Sequence, residues 1–515
     1  MKKFYAIAVM TAAVSALFAE IKMPAIFSSG MVFQQQKPIN VWGTAKPNSE
    51  VMVMFDFKNT TVKADADGNW HATLPAAKAS FNPLALTVFE DKIPGATFYN
   101  IYVGEVWIAG GQSNMEWCVA STDDVKGAKA SADKSAGKIR YFKQSSNGFS
   151  KLPKTEFQKG AQWQTINSKN VHAMTAVGFY FAEKLLKDLN VPVGIIYSSK
   201  GAASMATWSD RSKLLENKTT AKKYADFFKE LDAYDAAAHQ KLLAAHKEKI
   251  AKYEAKVKEC KAAGKPAPTV AWDFKYAPND QSPKTDYKSP SLHFNGKVVP
   301  MRDFAVRGVI WYQGESDASD PDYCELFKVL LDSWRGSLKD ADLPFIQVQL
   351  ASFSSKANWP WARSCQYRNT QIFKNVYMAP IIDTGEEFNI HPHYKSVVGY
   401  RMETIALEKI YGKKGVCADA PVMKSVVFKG DTATVEFETF KGALKVDGKP
   451  RGFETMINGK WSPAQVSIAG KKAIVKSSDG SEIRGVRYAW KNWAKPDVCL
   501  FGENGFPAIP FESLK

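Results

Sequence analysis

The sequence predicts an α/β fold flanked on both sides by β structure, and three observations carry this. Between about residues 101 and 415, short apolar segments alternate with stretches of helical periodicity. That is the pattern of crossover units, which build a largely parallel sheet covered on both faces. Residues 20–100 instead alternate apolar and polar positions, as Val51, Val53 and Phe55 do against Met52, Met54 and Asp56, and carry the hairpin signal Asp67-Gly68. Residues 416–515 return to that pattern, with Asp447-Gly448, Asn458-Gly459, Asp479-Gly480 and an alternating run from Thr432 to Glu438.

In chain order, Met1-Lys2-Lys3 precedes an apolar run from Phe4 to Phe18, with small residues at Ala16 and Ala19. This three-part pattern predicts a secretory signal peptide over 1–19 and a secreted or periplasmic protein. Residues 20–100 are expected to form a small β-sandwich. The core, 101–415, then supplies strands at Val106–Ala109, Val193–Tyr197, Val306–Tyr312, Phe345–Leu350 and Val376–Ile382. Helices are expected around Val177–Leu186, Leu326–Leu331 and Val398–Ile410. A helical insertion at about 212–290 interrupts this region. Tyr224, Phe227, Phe228, Leu231, Tyr234, Ala238 and Leu242 fall there at helical spacing, and Gly264, Pro266 and Pro268 end the run. Residues 416–515 are expected to form a second small β domain.

Bulk properties narrow the function. The formal net charge is +17, spread widely and mostly as Lys. No helix-turn-helix, zinc-finger or RNA-binding signature accompanies it, so nucleic-acid binding is not expected. The excess reads as a basic, soluble surface, with attraction of anionic glycans as the functional alternative. No other stretch is long and apolar enough for a membrane span, so none is expected once the leader is removed. The six cysteines contain no C-x-x-C pair and therefore no metal motif. Cys417 and Cys499 bracket the last segment and are the pair expected to join if export permits a disulfide.

Four segments carry chemistry. Gly110-Gly111-Gln112-Ser113-Asn114-Met115 follows an apolar strand. A Ser on such a turn projects at the carboxyl end of the sheet, where ligands sit in open α/β folds. A helix start there supplies free N–H groups for a developing oxyanion. Ser198–Ser204, Trp311-Tyr312-Gln313-Gly314-Glu315-Ser316-Asp317 and Asn389-Ile390-His391-Pro392-His393 close three other strands. In a doubly wound sheet all four converge on one rim. A Ser after glycines can also be a plain N-cap. Of the seven histidines, His239 and His246 sit on the inserted helix, where they are expected to be solvated, and His71 belongs to the first β region.

The motifs G-Q-S-N-M, W-Y-Q-G-E-S-D and I-H-P resemble the sialate O-acetylesterase family within the SGNH hydrolase superfamily. The flanking β regions and the stretches Val486–Trp490 and Gly505–Ala508 are also similar, so the resemblance covers essentially the whole chain after the leader. It implies a flavodoxin-like three-layer core and no metal or cofactor. It implies Ser113 as nucleophile and His391, at the I-H-P position, as general base, with His393 the nearest alternative. It also implies an oxyanion hole from the Ser113 N–H, the backbone at Gly201 and the Gln313 side chain. Gln112, Asn114 and Glu315 are then the expected substrate contacts. Where the family commonly has two glycines and a Thr, this chain reads Gly201-Ala202-Ala203.

The implied activity is removal of acetyl groups from carbohydrates, foremost O-acetylated sialic acids, through an acyl-enzyme. Two rivals stand beside it: an esterase for acetylated xylan or another plant glycan, and a non-catalytic glycan-binding protein. SGNH enzymes usually place an Asp three residues before the His, and here that position is Phe388. The loop still offers Asp383, Glu386 and Glu387. Asp383 is expected to hold the loop. Glu387, then Glu386, is expected to orient His391, the alternative being a Ser–His dyad whose ring a backbone carbonyl orients.

Overall fold

A computed structural model describes residues 20–145, 147–233, 236–270, 274 and 286–515. The expected leader, 1–19, and parts of the expected insertion lie outside the described residues.

The central sheet runs in the order Val376–Ala379, Phe345–Val348, Gly308–Tyr312, Ile93–Gly111, Val193–Ser199, Ile139–Lys143 and Gln162–Thr165. Every neighbouring pair is parallel except the last, in which Gln162–Thr165 runs antiparallel at the edge. Residues alternate between faces as a strand requires. Val106 and Ile108 enter one apolar core, Trp107 and Ala109 the other. Helices Tyr323–Ser337 and Trp359–Ile372 cover the first face, and Ala176–Leu189 and Lys395–Ile405 the second.

No linker marks residue 101. The single strand Ile93–Gly111 passes through it. Its first half pairs with Ser80–Glu90 and Val32–Gln34, its second half with Val193–Ser199 and Gly308–Tyr312. The first β region and the core are thus one hydrogen-bonded sheet at their junction. Against it stands the antiparallel pair Ile39–Thr44 and Asn69–Leu74. Val51, Val53 and Phe55 are buried between the layers, as their alternation requires.

In the insertion, Arg211–Glu216, Lys218–Asp232 and Ala236–Ala262 are helical. Phe228 and Leu231 are buried in the core that Tyr323–Ser337 also lines. His239, expected to be solvated, is 3% exposed. No helix among the described residues is long and apolar enough to cross a membrane.

The last segment forms two four-stranded antiparallel sheets around Val435, Phe437, Val475, Val486, Tyr488 and Phe511. The expected Cys417–Cys499 bridge is absent, and both thiols are free. Cys499 is buried in this core, where its sulfur accepts from the Arg451 N–H and donates to the Arg451 carbonyl, each at 3.3 Å. Cys417 lies on the connection into the domain, its carbonyl accepting from Asn504.

Candidate active site

Three strand ends lie in register. Gly111 stands opposite Ser199 on one side and Tyr312 on the other. The loops carrying Ser113, Lys200-Gly201 and Gln313 therefore leave the sheet at one level. Gly111 makes the first turn possible: its φ is +134°, and a β-carbon there would fall 2.1 Å from the Tyr312 carbonyl oxygen. Only glycine fits so close an approach. Gln112 is extended, and Ser113–Glu116 is a single helical turn.

The last strand leads to a loop that brings His391 back over this turn. His391 Nε2 lies 2.8 Å from Ser113 Oγ. The ring is stacked on Trp117, with centroids 4.8 Å apart and planes 17° apart. Burial, and then the charge of Lys395, lower the His391 pKa below its ordinary 6.5, so the neutral, proton-accepting form is favoured. Asn389 organises the loop, its Oδ1 accepting from the His391 N–H at 3.0 Å while its Nδ2 donates to Glu386 and to the His391 carbonyl. His393 points elsewhere: its Nδ1 and backbone N–H both meet Glu386 Oε1, at 2.7 and 2.9 Å.

Beneath the pair runs an internal polar network. The Asn114 side chain donates to Glu315 Oε1 at 2.5 Å and to the Ile390 carbonyl at 3.0 Å, and its oxygen accepts from Lys395 Nζ. Gln112 Oε1 accepts from the Ser316 N–H. On the far side of Ser113, Glu116 accepts from the Tyr197 hydroxyl at 3.0 Å and from the Gly201 N–H at 2.6 Å. Lys297, fully buried, donates to the Ser199 carbonyl at 3.0 Å, and burial pushes its pKa down to about 7.

Known proteins resemble this chain over most of its length. The family model described as carbohydrate esterase, sialic acid-specific acetylesterase matches residues 294–401, which include the Gln313 and His391 loops. The sialate O-acetylesterase of Mus musculus is 24% identical over 519 residues, covering 92% of this chain and 90% of the relative. That of Homo sapiens is 23% identical, covering 92% and 88%. The crystal structure of a carbohydrate acetylesterase from Xanthomonas citri superposes with a TM-score of 0.77 at 30% identity, covering 96% of this chain and 99% of that one.

The chain belongs to the carbohydrate acetylesterase family.

It is therefore a carbohydrate esterase, and three expectations for its site need correction. First, neither Glu386 nor Glu387 meets the His391 ring. Glu386 is consumed by Asn389 and His393, and among the described residues Glu387 contributes only its backbone carbonyl, to the Ser354 N–H. Asp383 forms a two-pronged ion pair with Arg401. Second, two of the three oxyanion donors are already engaged. The Gly201 N–H is held by the Glu116 carboxylate, the stronger acceptor nearby. The Gln313 amide donates to Asp317 and to the Ala203 carbonyl, leaving its own oxygen without a partner. The Ser113 N–H, at the helix start, has no intramolecular acceptor among the described residues.

Third, Gln112, Asn114 and Glu315 do not line an open sugar site. Gln112 and Asn114 are 3% and 1% exposed, and the free Glu315 oxygen is buried. Their polar groups bind one another and the loop backbones, because a buried amide must find partners inside the protein. The structure also gathers residues here that the motifs do not announce: Trp117 under His391, Glu116 on Gly201, and the buried Lys297 and Lys395. Helical spacing carried a faint signal for two of these, since Glu116 follows Ser113 by three positions and Lys395 follows His391 by four.

Proposed function

We propose that this carbohydrate acetylesterase works through a Ser113–His391 dyad on an SGNH, flavodoxin-like core, with O-acetylated sialic acids as its foremost substrates. The observation that carries the mechanism is the 2.8 Å contact between His391 Nε2 and Ser113 Oγ. Leaving aside Ile139–Lys143 and the antiparallel edge, the sheet order is 2-1-3-4-5, and Ser113 leaves the first strand beside the point where the order reverses. That is the crevice in which flavodoxin-like sheets bind ligands.

His391, kept neutral by its surroundings, takes the Ser113 proton as Oγ attacks the acetyl carbonyl. The negative charge develops on the former carbonyl oxygen, which the Ser113 N–H meets. The imidazolium returns its proton to the departing sugar oxygen, and a water activated by the same ring releases acetate. No carboxylate among the described residues meets the ring. Stacking on Trp117 and the Asn389-held loop fix it instead.

Sialic acid as the sugar is supported by the family model over 294–401 and by the curated relatives. A net charge of +17 also favours an anionic substrate. The leader-like segment 1–19 supports export to the periplasm or beyond. Acetate release from a panel of O-acetylated sialosides and acetylated xylo-oligosaccharides tests the substrate. Preference for the sialosides is expected, and preference for the xylo-oligosaccharides overturns that assignment while leaving the dyad intact.

A further inference from the structure

Three loops meet at Ser113, and one buried side chain ties them together. Lys395 begins the last helix of the core, four residues after His391, and is 1% exposed. Its ammonium donates to Asn114 Oδ1, on the Ser113 turn. The same carboxamide donates through Nδ2 to Glu315, on the loop after Gly308–Tyr312, and to the Ile390 carbonyl beside His391. The amide orientation is fixed by its partners, since only the oxygen can face the ammonium and only the nitrogen can face the carboxylate. Asn114 thus bridges a cation and an anion that do not touch directly.

The ammonium also lies 5.3 Å from the Tyr312 ring centre and 5.9 Å from that of Trp117, on which His391 stacks. The ionisable groups facing it are Tyr312 and Glu315 from one strand and its loop, and Glu386 and His391 from the other loop. Burial pushes Lys395 down to about 7 and raises Glu315. An unpaired charge in this place would be costly, so the two are retained as a bridged pair. Removing the cation leaves the anion stranded.

We propose that Lys395 is a positioning residue of the esterase, bridged through Asn114 to Glu315, which fixes the Ser113 turn against the His391 loop and sets its ammonium beside the Trp117–His391 stack. This rests on the Ser113–His391 reading above. It assigns a role in catalysis to a side chain that touches neither the substrate nor the serine.

The test compares Lys395→Met, Lys395→Arg, Glu315→Gln and the double variant Lys395→Met/Glu315→Gln with the unaltered protein. Each is assayed by pH–rate profiles on an aryl acetate and by fluorophosphonate labelling of Ser113, with circular dichroism confirming the fold. Lys395→Met is expected to lower kcat by at least about tenfold, with KM little changed. Its acid limb is expected to move to higher pH by at least about half a unit, because a positive neighbour that disfavours the imidazolium is gone. Lys395→Arg keeps the charge and should keep the limb while losing rate. The double variant should be no slower than the slower single variant, since the two act as a unit.

If Lys395→Met does not fold, Lys395→Arg and Glu315→Gln carry the test through their rates and limbs. A folded Lys395→Met with normal kcat, or a slow one with an unmoved acid limb, overturns the proposal, as does a shifted limb in Lys395→Arg. An unaltered protein that does not label at Ser113 overturns the underlying dyad and this proposal with it. Labelled protein with additive, pH-independent losses overturns this proposal alone.

Discussion

His391 Nε2 and Ser113 Oγ, 278 residues apart in the chain, meet at 2.8 Å where two loops leave the same rim of the sheet. A nucleophile and base that act together lose their effect together. Ser113→Ala and His391→Ala should each reduce acetate release by at least about 10³-fold, and the double variant should be no worse than either. Steady-state rates on one acetylated substrate check this. Two losses that multiply would show that the residues act independently.

In the proposed mechanism, the lowered pKa of His391 sets the acid limb of activity. The base must be neutral to accept the serine proton, and its proton leaves below the ordinary His value. The acid limb of kcat/KM should therefore lie below about 6.5. A limb at or above that value contradicts a partly buried imidazole with Lys395 nearby.

Glu386 holds the loop, and Glu387 holds nothing of the ring. Glu387→Gln should leave turnover within about twofold. Glu386→Gln weakens hydrogen bonds to Asn389 and His393. Its cost should be about tenfold or less, the scale of one charge-assisted hydrogen bond, with little movement of the His391 limb. A loss of about 10²-fold or more in either variant, with binding intact, would restore a carboxylate as the orienter.

Gln313 has become an internal partner. Replacing it with Leu leaves the buried Asp317 carboxylate, which burial already raises to about 6, with only the Met205 N–H as donor. Thermal or denaturant unfolding of Gln313→Leu should show a loss of about 1–3 kcal/mol. Unchanged stability with a large fall in kcat would instead mark Gln313 as an oxyanion donor.

Ala202 is left-handed, with φ at +58°. This costs an L-residue about 1–2 kcal/mol, partly offset by the stiffer unfolded chain that Ala gives relative to Gly. Ala202→Gly should raise stability by about 0.5 kcal/mol and leave turnover unchanged. A fall in stability would mean that the loop relaxes away from this conformation.

Much of this site was legible because glycines and strand ends are strong local signals. Gly110-Gly111 stops an apolar strand, and Asn389–His393 lies between a strand and a helix. The convergence of the four loops followed from sheet topology alone. What escaped was pairing at a distance. Nothing near Gly201 in sequence shows that Glu116 takes its N–H, and nothing near Glu386 shows that His393 and Asn389 exhaust it. Lys297 and Lys395 escaped because lysine ordinarily reads as surface, and only packing reveals a buried one. The boundary expected at 101 cuts strand Ile93–Gly111 because its first half is partly exposed and its second half fully buried. Asn114 and Glu315 were visible as motif residues, but their direction, inward to each other and to Lys395, was not.

The most direct measurement is rapid quenching of the esterase with an O-acetylated sialoside, followed by peptide mapping. An acetyl group on Ser113 is expected during turnover, absent in Ser113→Ala together with acetate release. Acetate release that persists in Ser113→Ala, or an acetyl group trapped on another residue, would contradict the serine mechanism.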